Sequence, residues 1–104
     1  VVGREEMEKM KWIEVRAKEW FDRGAGNSYF SAHVFLNDET VAVLPFQYGY
    51  GQAYEQAALE ALVRLNVLSP GGALWSRCEE LDIKLFSNIQ TGCKKKEVTS
   101  WGLR

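Results

Sequence analysis

From Tyr29 to Leu36 apolar and polar positions alternate. Phe30, Ala32, Val34 and Leu36 fall on one face and Tyr29, Ser31, His33 and Phe35 on the other, as in a half-buried strand. The segment before it reads two ways. At a period of 3.6, Met7, Met10, Ile13, Ala17, Trp20 and Phe21 make one stripe; at a period of 2, Ile13, Val15 and Ala17 alternate with Trp12, Glu14, Arg16 and Lys18. The Trp, Ile and Val content suits a pleated surface and predicts a strand from about Lys11 to Phe21, behind a loose or helical extension over residues 1–10. Between the two strands Asp22-Arg23-Gly24-Ala25-Gly26-Asn27-Ser28 is a turn, because Gly and Asn tolerate positive φ. Asn37-Asp38-Glu39 turns the chain again into a third strand over 40–44, antiparallel to the second because the connection is so short. Pro45 lacks an N–H and marks an edge or an interruption.

After Phe46-Gln47-Tyr48-Gly49-Tyr50-Gly51 the period changes. From Gln52 to Val67, Tyr54, Ala57, Ala58, Ala61, Leu62 and Leu65 recur at i, i+3, i+4, i+7, i+8 and i+11, the strongest helical signal in the chain, and Ser69-Pro70-Gly71-Gly72 is expected to stop it. A short helix over 73–81 is expected to turn Leu74, Trp75, Cys78 and Leu81 inward. Ile83, Leu85, Ser87 and Ile89 alternate as a last strand, and residues 94–100 form a turn or a helical turn that returns Val98 and Trp101 to the core. The fold class is α+β. One domain over 1–104 carries a small antiparallel sheet of three to four strands, from 11–50 and about 83–90, packed against one main amphipathic helix, with a short second helix. Phe30, Val34, Ala58, Ala61, Leu62 and Leu65 point inward.

A chain of 104 residues that is 46% apolar buries roughly 65% of its extended surface on folding, so its core requires neither metal nor disulfide. Cys78 and Cys93 match neither a redox nor a zinc spacing and read as free thiols packed as small apolar residues; the lysines after Cys93 are expected to activate it slightly. No apolar run approaches the ~20 residues that cross a bilayer, and VVGREEMEKMK is charged where a signal peptide is apolar, so the expected location is cytoplasmic, away from membranes. The net charge of −1 argues against a domain held mainly by phosphate contacts. The middle of the chain is acidic, with Asp38, Glu39, Glu55 and Glu60 against Arg64 alone. Lys94, Lys95 and Lys96 make the tail mildly basic, either as a solvated turn or as contacts to a phosphate or acidic partner.

Catalytic groups are sparse. His33 is the single histidine and has no neighbouring carboxylate in sequence, so it reads as a strand histidine paired with a hydroxyl or backbone group. Asp38-Glu39 and Glu79-Glu80 with Asp82 fall in a turn and at a helix end, where acids are solvated. Gly49-Tyr50-Gly51 precedes a helix, but no Lys or Arg lies between Gly24 and Val63 to complete a phosphate site. The expectation is a protein that is not an enzyme and takes no cofactor or metal. The aromatic run then has three readings: core, protein interface, or a platform for single-stranded nucleic acid. The favoured surface is Tyr29, His33, Phe35, Tyr48 and Tyr50 against a protein partner; self-association into a homodimer through the same face competes. The alternative is nucleic acid, gripped by the sheet aromatics and Lys94, Lys95 and Lys96.

Three segments, Trp20-Phe21 with Gly26-Asn27-Ser28-Tyr29, Pro45-Phe46 with Tyr48-Gly49-Tyr50-Gly51, and Lys94-Lys95-Lys96 with Trp101-Gly102, resemble small uncharacterised proteins of tailed bacteriophages and prophages over about residues 11–102. That family has no assigned activity; together with the lack of catalytic groups and the aromatic-rich acidic middle, the resemblance leads to the expectation of a phage-type accessory protein in the host cytoplasm that binds a host protein of defence or nucleic-acid processing. It brings no functional residue with it. The order of strands, glycine turn and Ala-rich helix also resembles the C-terminal half of a double-stranded RNA-binding domain. That family places lysines at the helix start, where this chain has Gln52, Ala53, Tyr54 and Glu55, so RNA binding is not implied.

Overall fold

The computed structural model describes residues 11–103. The expected extension over residues 1–10, with Met7 and Met10, lies outside them. Seven elements follow in the order β1 (Trp12–Asp22), β2 (Asn27–Leu36), β3 (Glu39–Tyr48), α1 (Ala53–Arg64), α2 (Leu74–Glu80), β4 (Lys84–Gln90) and α3 (Lys95–Trp101). The α+β class holds, and the ambiguous first segment is a strand. Its hairpin with β2 is closed by Asp22, whose carboxylate accepts from the Gly24 and Ala25 N–H groups while its carbonyl accepts from Gly26. The β2–β3 turn is a two-residue connection with Asn37 and Asp38 at φ 50° and 70°, the mirror-image geometry that matches strand twist.

The sheet order is β3-β2-β1-β4. Both hairpin pairs are antiparallel, but β4 runs parallel to β1, from Trp12 beside Lys84 to Lys18 beside Gln90. The expected all-antiparallel sheet is therefore a mixed one. A strand reached through two helices crosses the sheet before it pairs, and that crossing permits parallel pairing. The third strand also runs further than expected, through Pro45 to Tyr48. Its register slips between Phe30 and Ala32 and again between Val34 and Phe35, and Pro45 sits in the first slip on an edge strand, where its missing N–H costs no ladder bond.

The sheet is covered on both faces rather than by one main helix. Ile13, Val15, Ala17, Phe30, Ala32, Val34 and Leu44 pack under α1 and α2 against Tyr54, Ala58, Leu59, Ala61, Leu62, Leu74 and Cys78. Gly49 lets the chain leave β3 past this layer, since a Cβ there would stand 2.6 Å from the Phe30 ring. Both covering helices stop at a left-handed residue. After α1, Asn66 (φ 61°) directs its N–H to the Val63 carbonyl and that of Val67 to Leu62; after α2, Asp82 (φ 55°) does the same with Glu79, and Ile83 with Cys78. This stop at Asn66 precedes the expected one at Ser69-Pro70-Gly71-Gly72. It turns Leu65 to solvent instead of inward. For α2, Leu74 and Cys78 are buried as expected, but Trp75 is 64% and Leu81 53% exposed, because seven residues offer one narrow buried stripe and Leu81 already belongs to the cap.

The third helix, α3, lies on the opposite face against β1, β2 and β3, with Val98 fully buried. Ser31 Oγ–H donates to the Val98 carbonyl at 2.5 Å, and His33 Nε2–H to the Trp101 carbonyl at 2.6 Å; the Trp101 indole N–H donates to the Arg16 carbonyl at 3.1 Å. Both buried polar side chains of β2 are thus satisfied by the helix end that covers them. Gly102 follows, and a Cβ there would meet the Phe46 backbone nitrogen at 2.8 Å.

Candidate binding face

The pleat sets what stands beside α3. Register pairs Trp20 with Tyr29, Lys18 with Ser31, Arg16 with His33 and Glu14 with Phe35, so all eight side chains share the face opposite α1 and α2. β3 adds Phe46 and Tyr48. Trp20 stacks on Tyr29 with ring centres 5.6 Å apart, Tyr29 on Phe46 at 5.1 Å and 7° between planes, and Tyr48 meets Tyr29 edge-on at 5.9 Å. Lys95 stands beside this row, its Nζ 5.4 Å from the Trp20 ring centre. A second stack stands alongside: Trp101 lies on His33 at 3.7 Å, with Lys18 Nζ 4.7 Å from the Trp101 ring.

These distances sort the residues expected from sequence. Tyr29 is half-buried inside the stack. His33 is 7% exposed beneath Trp101, so its ring belongs to the docking of α3 and not to a contact surface. Phe35 is half-buried under the Arg16 guanidinium, 5.4 Å from its ring centre. Tyr48 and Tyr50 are the open members, 59% and 70% exposed. Lys94, Lys95 and Lys96 are exposed, but they do not act as one run. Lys94 and Lys95 line a hollow of about 320 Å³ with Trp20, Phe21 and Arg23, whereas Lys96 borders another of about 370 Å³ with Lys18, Glu97 and Trp101. Sequence reasoning missed Arg16, Lys18 and Trp20 as neighbours of these residues. The alternation of β1 contained the signal, but only the register beside β2 turns it into a surface.

Charge divides by layer. Glu55, Glu60, Glu79, Glu80 and Asp82 belong to α1, α2 and the cap that follows, with Arg77 held by Glu80 at 2.9 Å. Arg16, Lys18, Lys94, Lys95 and Lys96 belong to the opposite face, where Glu14 and Glu97 offset them in part through contacts with Arg16 at 2.7 Å and Lys18 at 3.8 Å. A chain of net charge −1 therefore has one basic, aromatic side.

The thiols are free and buried. Burial pushes the Cys78 thiol up to about 11 from 9.0. Burial and the Glu97 carboxylate raise that of Cys93 as well, against the expected activation by the lysines that follow it. A raised thiol pKa stabilises the fold while the unfolded thiol is still protonated, and that contribution is lost as pH rises from about 9 through about 11. Chemical denaturation across this window is expected to show a steeper loss of stability for the parent protein than for Cys78→Ala. Equal slopes would remove Cys78 as the cause. Among the described residues no group of three His, Cys, Asp or Glu stands together in a metal-binding arrangement, and no helix is long and apolar enough to cross a membrane.

Comparisons with protein-family models, with curated proteins and with solved structures find no match for this chain.

Proposed function

We propose that this is a non-catalytic binding protein that engages a protein partner through Tyr48, at the rim of the stacked aromatic row, and Tyr50 in the turn that follows. The observation that carries the reading is the contrast within the row. Trp20, Tyr29 and Phe46 stack on one another, whereas Tyr48, edge-on to Tyr29, and Tyr50, in the turn into the first helix, are more than half exposed. The aromatic row backs Tyr48, and the two exposed tyrosines offer rings that fill pockets and hydroxyls that find partners, the usual composition of an interface anchor. Lys18, Lys95 and Lys96 on the same side suit a partner with an acidic rim. Within this proposal the partner is a host protein of defence or nucleic-acid processing, the expectation for a chain that resembles small phage proteins.

The test is recovery of partners by tagged protein from infected host cells, compared with Tyr48→Ala/Tyr50→Ala. Because both rings are largely exposed, the double variant is expected to keep its far-UV spectrum and unfolding midpoint and to lose the partner by roughly a hundredfold, as for a pair of interface anchors. Undiminished recovery by the double variant, or recovery of the chain alone, rejects the assignment.

One observation favours nucleic acid as the second reading: the cations that the acidic middle of the chain lacks stand beside the aromatics in space. The stacks favour phosphate contacts over base stacking, since Trp20 and Trp101 each already stack on a neighbouring ring and have a lysine ammonium 5.4 and 4.7 Å from their ring centres. Three lysines on a single strand give a log-log salt slope of about −2. A protein partner with two tyrosine anchors gives a much shallower one, so the two readings separate in one titration. Failure to bind single strands and duplexes at micromolar concentration in low salt removes this second reading.

A further inference from the structure

We propose that β4 is a self-association edge, through which two copies of this chain join antiparallel about a two-fold axis at Ser87 to make one continuous eight-stranded sheet. The sheet has two edges, and they differ in kind. β3 carries Pro45 and two register slips, devices that stop a second strand from adding. β4 has no Pro, no Gly and no slip along its seven residues, and Lys84 at its start is its one charge. The Lys84 N–H bonds to the Lys11 carbonyl, so Lys84, Phe86, Asn88 and Gln90 direct their main-chain groups toward β1, and Leu85, Ser87 and Ile89 direct theirs outward. Among the described residues no main-chain hydrogen bond reaches that outer side.

The sequence of β4 is complementary to its own reverse. With the axis at Ser87, Leu85 stands opposite Ile89 of the second copy and Ile89 opposite Leu85. These two aliphatics are half-buried and continue the core, so each covers the other's open side. Lys84 meets Gln90, so no like charges within the strands oppose. Phe86, 55% exposed, comes within diagonal reach of its counterpart. The residues with outward main chains pair only with one another in this register, which satisfies them all. One contact opposes it. Glu55 accepts from Ser87 Oγ–H at 2.6 Å, and the axis brings the two Glu55 carboxylates toward each other. The axis stands perpendicular to the sheet and leaves the basic aromatic faces of both copies on one side, so this association does not depend on the partner surface proposed above.

Sedimentation velocity on the full chain from about 10 μM to about 1 mM is expected to show a monomer–dimer equilibrium in this weak range. Amide exchange at the same concentrations carries the detail. Protection at Leu85, Ser87 and Ile89 is expected to rise with concentration, whereas Phe86 and Asn88 are protected throughout by β1. Glu55→Gln is expected to tighten the dimer several-fold. Ser87→Pro removes an N–H that the monomer does not use and is expected to weaken it at least about tenfold. Tyr48→Ala/Tyr50→Ala is expected to leave dimerisation unchanged, which separates this proposal from the partner surface. A monomer at the highest concentration overturns the proposal, as does a dimer in which the amides of Leu85, Ser87 and Ile89 exchange as fast as in the monomer. The exchange pattern comes from the parent protein, so it decides the matter even if Ser87→Pro fails to fold.

Discussion

Phe30→Ala is expected to lower the unfolding free energy by about 3–5 kcal/mol, the cost of truncating a buried aromatic in a site that cannot collapse. Phe30 is 2% exposed and heads the largest fully buried side chains. It stands in β2, an interior strand of the sheet, and its ring fills the space beneath the turn into α1, where Gly49 leaves no room for a Cβ. The Gly49 N–H is bonded to the Ser28 carbonyl at 3.1 Å, so the turn is tied to the strand that carries the ring and cannot settle into the vacated space. A domain of this size has a total stability of roughly 5–15 kcal/mol, which makes the loss large enough to read directly as a shifted urea midpoint. A loss below about 1 kcal/mol, with unchanged denaturant dependence, would place Phe30 outside the core.

Leu62→Ala is expected to cost about 2–5 kcal/mol, and its value as a test lies in the comparison with Leu65→Ala. Both leucines fit the helical period of the sequence. Leu62 is fully buried and accepts at its carbonyl the N–H of Val67, which closes the end of α1. Leu65 is the cap residue, 48% exposed, and its truncation is expected to cost less than about 1 kcal/mol because water already reaches its side chain. Thermal and urea unfolding of the pair would show the two effects clearly apart. Equal losses would mean that α1 continues past Arg64 as the period alone suggests.

That pair also shows what the sequence made legible. Strong periodicity found β2 and α1 and most of the residues inside them, since Ala58, Ala61 and Leu62 are buried as the pattern requires. What it misplaced lies at helix ends. Nothing in the period of α1 distinguishes Leu65 from Leu62; the left-handed Asn66 does, and Asn at that position is a weaker stop signal than the Ser-Pro-Gly-Gly run further on. Parallel pairing of β4 was illegible because alternation fixes which side chains share a face and not which neighbour a strand takes. For the candidate site, the sequence places Ser31 and His33 on the more polar face and pairs His33 with a hydroxyl or backbone group, a role that the Trp101 carbonyl fills. What the sequence did not show is that the short helix α3 covers both and supplies the carbonyls they meet. Lys18 and Lys95 could not be joined to Trp101 and Trp20 from sequence, as each pair is brought together by tertiary docking.

The parallel partnership of β1 and β4 also divides the chain by the order in which its contacts become affordable. The meander of β1, β2 and β3 needs only short closures, one around Asp22 to Asn27 and one at Asn37 and Asp38. Pairing Trp12 with Lys84 instead closes a loop that contains β2, β3, α1 and α2, and the entropy of that closure must be met before a single β1–β4 bond forms. The three-stranded meander is therefore expected to form first and β4 to dock on it late. On unfolding the same strand is expected to leave first, exposing the inner edge of β1 and the aliphatic side of β4 together while the hairpins persist.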